Sequence, residues 1–248
     1  MFIFLPIGDI APRERTPYVN YLLIGVNVAL FVLLGLRSDY QGIVLNYGVV
    51  PAHPQWSDFI TSAFLHADVF HLGGNMLFLW IVGDNVEDVL GHLAYLAFYL
   101  VGGVVAALPH VLLFSRSEVP CIGASGAISA VMAAYAVWFA RNRIKLWYLV
   151  GYFYVRMGVT LVPAVVAVGL WFLMQLLFGL LAVGAQVRGG VGYWVHIGGF
   201  VFGLAVALVV RTVWSGRIPR ITMEAADRGR GYFRPRRPSR YDDEGGMW

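Results

Sequence analysis

Six apolar stretches, residues 19–36, 69–83, 92–114, 123–140, 157–183 and 191–213, together make up half of this 248-residue chain and constrain its fold more than any single motif does. A helix that crosses a bilayer needs about 20 mainly apolar residues, because in hydrocarbon its backbone groups can bond only to one another. The second and fourth stretches are short for a crossing, so neighbouring helices are expected to shield them. With 59% hydrophobic and 13% charged residues, the chain lies outside the roughly 45–50% apolar range of soluble domains. These features predict an all-α membrane protein, a bundle of six transmembrane helices with a short central fourth span and an interfacial first loop.

The charge distribution orients such a bundle. Of 18 Lys and Arg residues, only Arg37, Arg116 and Arg188 fall in the first, third and fifth loops. The rest lie in the N-terminal segment, the fourth loop, or at and after the end of the sixth stretch, so the positive-inside rule puts both termini in the cytoplasm. An even number of spans agrees. The chain divides accordingly into a cytoplasmic lead over residues 1–17, a helical core over 18–213 and a basic, disordered tail over 214–248. The lone Cys121 excludes an internal disulfide. The expected location is an integral multi-pass protein of a prokaryotic inner membrane, its partners the bilayer and other membrane proteins rather than nucleic acid. Oligomeric state is not legible.

Polar residues inside the stretches narrow the function, because each is costly in hydrocarbon unless it is paired or faces a wet cavity. Ser125 heads the fourth stretch among Gly123, Ala124, Gly126 and Ala127, which clear space around its hydroxyl. Two readings stand: a small-residue packing face through Ser125, Ser129 and Ala133, or a nucleophile approached by a substrate carbonyl. It is not the Gly-x-Ser-x-Gly elbow of soluble hydrolases, since Ala127 holds the last position. His71 and Asn75, four apart at the start of the second stretch, share a helical face. They either glue two helices together or supply hydrogen-bond donors to a site. His66 and Asp68, just before them, read as structural. In the sixth stretch Gly192, His196, Gly199 and Gly203 form one bare face carrying a single imidazole. The fourth stretch offers the only comparable small-residue face, so His196 and Ser125 are expected to meet.

A serine hydroxyl becomes a useful nucleophile once a base takes its proton, and histidine, with a reference pKa of about 6.5, is suited to the task. The oxyanion formed by attack on a carbonyl needs donors, for which His71, Asn75 and the Ser125 backbone N–H are at hand. The motifs Gly123-Ala-Ser-Gly126, His71-x-x-x-Asn75 after Phe64-Leu-His66, Tyr47-Gly-Val-Val-Pro51, Trp171-Phe-Leu-Met-Gln175 and the histidine-glycine run resemble the rhomboid intramembrane serine proteases. The resemblance implies Ser125 as nucleophile and His196 as general base and then acid. It puts His71, Asn75 and Gly123 around the oxyanion. It also implies cleavage of single-pass membrane proteins near the membrane, without metal or cofactor. The chain departs from the family pattern at Val195, where many members have alanine, and at Ser129, where some place a tyrosine against the histidine. A Trp-Arg pair common in the family's first loop is absent too. What buttresses His196 is left open, and Gln175 has no evident partner. The alternative is a non-proteolytic relative that binds or escorts membrane proteins; a transporter is disfavoured because no charged residue lies deep in a stretch.

Overall fold

The computed structural model describes residues 2–11, 13–35, 37–151, 154–184 and 192–213, so the tail expected over 214–248 lies outside the described residues. In chain order the elements are β1 (Phe2–Asp9), α1 (Tyr18–Leu34), α2 (Tyr40–Tyr47), α3 (Asp58–Thr61) with a following 3-10 turn (Ser62–Phe64), α4 (Val69–Leu90), α5 (His92–Leu113), α6 (Ser125–Trp138), β2 (Arg143–Gly151), β3 (Val155–Pro163), α7 (Ala164–Gly184) and α8 (Tyr193–Val213). The described chain is mostly helical. α5, α7 and α8 are each long and apolar enough to cross a membrane, and residues 58–64 with α4, bent by 96°, make a fourth candidate. Two of the six expected spans fall short of that length. α1 has 17 residues and α6 has 14; at about 1.5 Å per residue α6 is only about 21 Å long, against about 30 Å of hydrocarbon.

The all-α expectation is corrected by a three-stranded antiparallel sheet in the order β1-β2-β3. β2 and β3 form a continuous hairpin, from Arg143 opposite Pro163 to Gly151 opposite Val155. The fifth stretch was expected to be helical from residue 157, but Met157–Pro163 belongs to the hairpin and α7 starts at Ala164. A short run of Val, Thr, Leu and Met is equally apolar as strand or helix, and hydropathy does not separate the two. Nor is the lead a plain connector. Phe2–Asp9 pairs with β2, with an irregularity in register between Pro6 and Gly8, which an edge strand tolerates because Pro6 has no N–H to contribute.

Buried carboxylates tie this end of the molecule together. The segment Gly83–Asp88 continues α4, with Glu87 and Asp88 buried. Glu87 accepts from the backbone N–H groups of Val19 and Asn20 at 3.0 and 2.7 Å, so an acid on α4 satisfies the unpaired donors that open α1. Asp88 accepts from Glu14 N at 2.8 Å. Asn20 links three helices, donating to Leu79 O at 3.1 Å and accepting from Tyr95 Oη at 2.8 Å. Asp9, at the end of β1, accepts from Tyr135 Oη (2.6 Å), Asn142 Nδ2 (2.8 Å) and Asn85 Nδ2 (3.1 Å).

α6 lies at the centre, buried along nearly its whole length and packed between α4, α5 and α8. Its contact with α8 is backbone on backbone. A methyl on Gly199 would collide with the Gly126 carbonyl, and one on Gly203 with Ala130. Gly203→Leu is therefore expected to destabilise the detergent-solubilised protein by at least the roughly 1–3 kcal/mol typical of overpacking, seen as a lower thermal midpoint. Gly169→Leu, where nothing lies within 4 Å of a new Cβ, should leave the midpoint nearly unchanged.

Burial raises the pKa of the Asp9 carboxyl from 3.8 to about 6, against the opposing hydrogen bond from Tyr135. The folded state thus holds this proton more tightly than the unfolded chain. Its contribution is fully present below pH 4 and is lost as pH rises through 6, a swing of up to about 3 kcal/mol. Thermal midpoints measured between pH 4 and 7 should fall more steeply with pH in the parent than in Asp9→Asn.

Candidate active site

The approach to Ser125 is fixed before α6 begins. Val49 and Cys121 exchange backbone hydrogen bonds at 3.0 and 2.8 Å, and Gly123 N donates to Ser62 O at 2.8 Å. Gly123 has φ +122°, and a Cβ there would come within 2.8 Å of the His71 ring. Only glycine meets both demands, a positive φ and a ring against the Cα. Ser125 then opens the helix, where backbone N–H groups are not yet committed to the ladder.

His71 and Asn75 stand on the first turns of α4. Asp68 caps that helix, accepting from Phe70 N and His71 N at 2.8 Å each. Ala67 N donates to His71 Nδ1 at 3.3 Å, so in the neutral ring the proton sits on Nε2, beside Gly123. Asn75 Nδ2 is buried without a hydrogen-bond partner among the described residues, and lies 3.7 Å from where a Gly123 Cβ would be. The His66 backbone ties α2 to the approach to α4: its carbonyl accepts from Tyr40 Oη at 2.7 Å and its backbone N–H donates back to that oxygen at 3.1 Å.

α8 brings His196 to the serine. Ser125 Oγ and His196 Nε2 are 2.8 Å apart, and His196 Nδ1 is 2.8 Å from Gln175 Oε1 on α7. The Trp171 ring lies against the imidazole with centroids 5.8 Å apart. Ser129 turns away, its hydroxyl donating to Ser125 O at 2.6 Å, so the ring is flanked from α7 rather than from one turn after the serine. Val195 is accommodated because Gly126 is bare: a Cβ on Gly126 would come within 2.7 Å of Val195 Cγ1. The contact of Gln175 with His196 is not legible from spacing, although the four-residue step from Trp171 to Gln175 puts both on one face of α7.

A cavity of about 780 Å³ opens onto this cluster, with His71, Asn75, Gly123, Ser125, Trp171 and His196 among its lining. Fold and cluster together define a polytopic membrane protein with a hydrogen-bonded serine and histidine facing a pocket. Residues 53–213 match the Rhomboid domain profile, well over half of the chain, and the chain belongs to the rhomboid family.

Among similar proteins, the chloroplastic rhomboid-like protein 11 of Arabidopsis thaliana is 40% identical over 127 residues, 49% of this chain and 42% of that one. The rhomboid protease GluP of Bacillus subtilis is 30% identical over 137 residues, 53% of this chain and 26% of GluP. The mitochondrial rhomboid protein 1 of Saccharomyces cerevisiae is 29% identical over 191 residues, 74% of this chain and 51% of that protein. The chain thus spans about a quarter to a half of the length of these curated relatives. The spans and the family establish an integral membrane protein. With mitochondrial and chloroplastic proteins among the relatives, the expectation of a prokaryotic inner membrane gains no support and is dropped.

The tight entry to the site is open to test. Gly123→Ala should cost about 1–3 kcal/mol, the range for a residue held in a sparsely populated backbone region. Gly73→Ala, with nothing within 4 Å of the added methyl, should be neutral or slightly stabilising; thermal midpoints in detergent distinguish the two.

Proposed function

We propose that this chain is an intramembrane serine endopeptidase that hydrolyses peptide bonds of single-pass membrane proteins near the membrane. The observation that carries the reading is the 2.8 Å contact between Ser125 Oγ and His196 Nε2 at the wall of the cavity. In this reading Ser125 Oγ attacks the scissile carbonyl while His196 Nε2 takes its proton. The same nitrogen then gives the proton to the leaving amine, and a water, deprotonated in turn by His196, releases the acyl group from Ser125. His71 Nε2–H, Asn75 Nδ2–H and the Ser125 backbone N–H receive the developing oxyanion, and the bare Gly123 leaves room for it. Asn75 suits the task because its amide is unpaired at rest, so nothing must be broken before it donates.

The substrate must unwind to be cut, since in a helix the scissile peptide is already hydrogen-bonded and shielded. Membrane segments rich in helix-destabilising residues are therefore the proposed substrates. The proposed topology keeps six spans, with α1 and α6 as short crossings shielded by their neighbours. The sheet and both termini then face the cytoplasm, where the charge distribution puts them. A relative that is itself named a protease supports the reading.

The test is cleavage of a single-pass substrate by the purified protein in liposomes. Ser125→Ala and His196→Ala should reduce turnover to background, and His71→Ala or Asn75→Ala should lower it by about 10²-fold, as for loss of one oxyanion donor. Cleavage that persists in Ser125→Ala would overturn the proposal. Substrate capture by the parent protein without any product would favour the escort reading.

A further inference from the structure

The serine accounts for one nitrogen of His196, and the other is held from α7. Gln175 is buried, and its Oε1 lies 2.8 Å from His196 Nδ1. A neutral imidazole has one donor nitrogen and one acceptor, and the bond at one decides the proton's place at the other. An amide oxygen only accepts, so Nδ1 carries the proton and Nε2 turns its lone pair toward Ser125 Oγ. We propose that Gln175 is a positioning residue, holding His196 in the tautomer and ring orientation that accept the serine proton. The inference rests on the protease reading of the site.

Three further features fit this role. Trp171, one turn earlier on α7, lies against the ring, so one residue limits the tilt of the imidazole and the other its rotation. One turn after Gln175, Gly179 presses α7 close to α8: a Cβ there would lie 3.1 Å from Ile197 Cδ1, and the Gly179 carbonyl accepts from Trp194 Nε1 at 3.1 Å. The height of Gln175 against His196 is thus fixed by a neighbouring contact. Among the described residues, His196 has no carboxylate in ion-pair range, which leaves the amide as the acceptor for Nδ1. Ser129 is committed to its own helix.

The experiment joins kinetics with nitrogen NMR on the full-length protein in detergent. The ¹⁵N spectrum of His196, assigned by its loss in His196→Ala, should show the proton on Nδ1 in the parent. Gln175→Leu, which keeps the bulk and removes the acceptor, should lower kcat by about 10²-fold, at the low end of what general-base catalysis contributes. KM should stay within about twofold. Gln175→Glu, which restores an acceptor at the same reach, should recover most of kcat. A purely structural role would instead lower the thermal midpoint, with no effect particular to kcat and no rescue by Glu. A parent spectrum with the proton on Nε2 would overturn the inference, whether or not the Leu variant folds. So would unchanged kcat in Gln175→Leu. Either result beside an inactive Ser125→Ala leaves the protease reading standing, whereas an active Ser125→Ala removes that reading itself.

Discussion

The contact between α6 and α8 is the constraint on which the site depends. In a bilayer, helices gain little by hiding apolar side chains from one another, because lipid tails are just as apolar. What holds these two is close approach of backbones, which Gly199 and Gly203 allow by presenting no side chain to Gly126 and Ala130. The hydrogen bond from Ser125 to His196 spans 2.8 Å. A displacement of about 1 Å, less than a methyl group imposes, would take it out of hydrogen-bonding range. The bare glycine face therefore sets the distance between Ser125 and His196 as well as the packing.

α6 is anchored at both ends by polar groups that never meet. Near its start, Gly123 and Ser125 are held by backbone bonds from the loop and by the side chains of α4 and α8. Near its end, Tyr135 donates to Asp9 on β1, and Asn142 donates both to Asp9 and to Tyr135. The N-terminal strand thus supports the far end of the helix that carries the serine. Between these ends Ala127, Ala130, Ala133 and Ala134 are almost wholly buried, small enough for three other helices to crowd around one short one. Between the two polar ends of α6 the space is filled by packing.

The sequence makes one of those levels far more legible than the other. The meeting of Ser125 with His196 follows from two small-residue faces at helical spacing, and the shared face of His71 and Asn75 follows from a step of four residues. Both are local patterns that survive folding unchanged. The aromatic run over residues 144–155 already reads as hairpin-like, but the third strand's extent is hidden, because Met157–Pro163 is as apolar as the helix it precedes and its strand character comes from pairing with β2. The role of Glu87 is hidden for the same reason: nothing near it in sequence shows that its carboxylate serves the start of α1, 67 residues earlier. Gln175 fails in a third way. Its spacing from Trp171 gives a face, but the rotation of α7 about its own axis relative to α8 is a tertiary quantity.

The choice of an amide as the partner of His196 follows from the surroundings. Burying a carboxylate in low dielectric costs several kcal/mol unless its charge is compensated, and a span carrying one would insert into the bilayer less readily. Buried acids among the described residues obey that limit: Glu87, Asp88 and Asp9 gather at the sheet end with backbone N–H groups and polar side chains around them, and Asp58 accepts from Gln55 N and Ser57 Oγ, while Asp68 caps α4 from outside the helix. The polar side chains near Ser125 and His196 include two amides, at Gln175 and Asn75, and the His71 ring. A neutral acceptor selects a tautomer as firmly as a charged one but stabilises imidazolium less. In the proposed reaction the donors of His71, Asn75 and the Ser125 backbone hold the oxyanion, whose negative charge beside His196 offsets part of that loss.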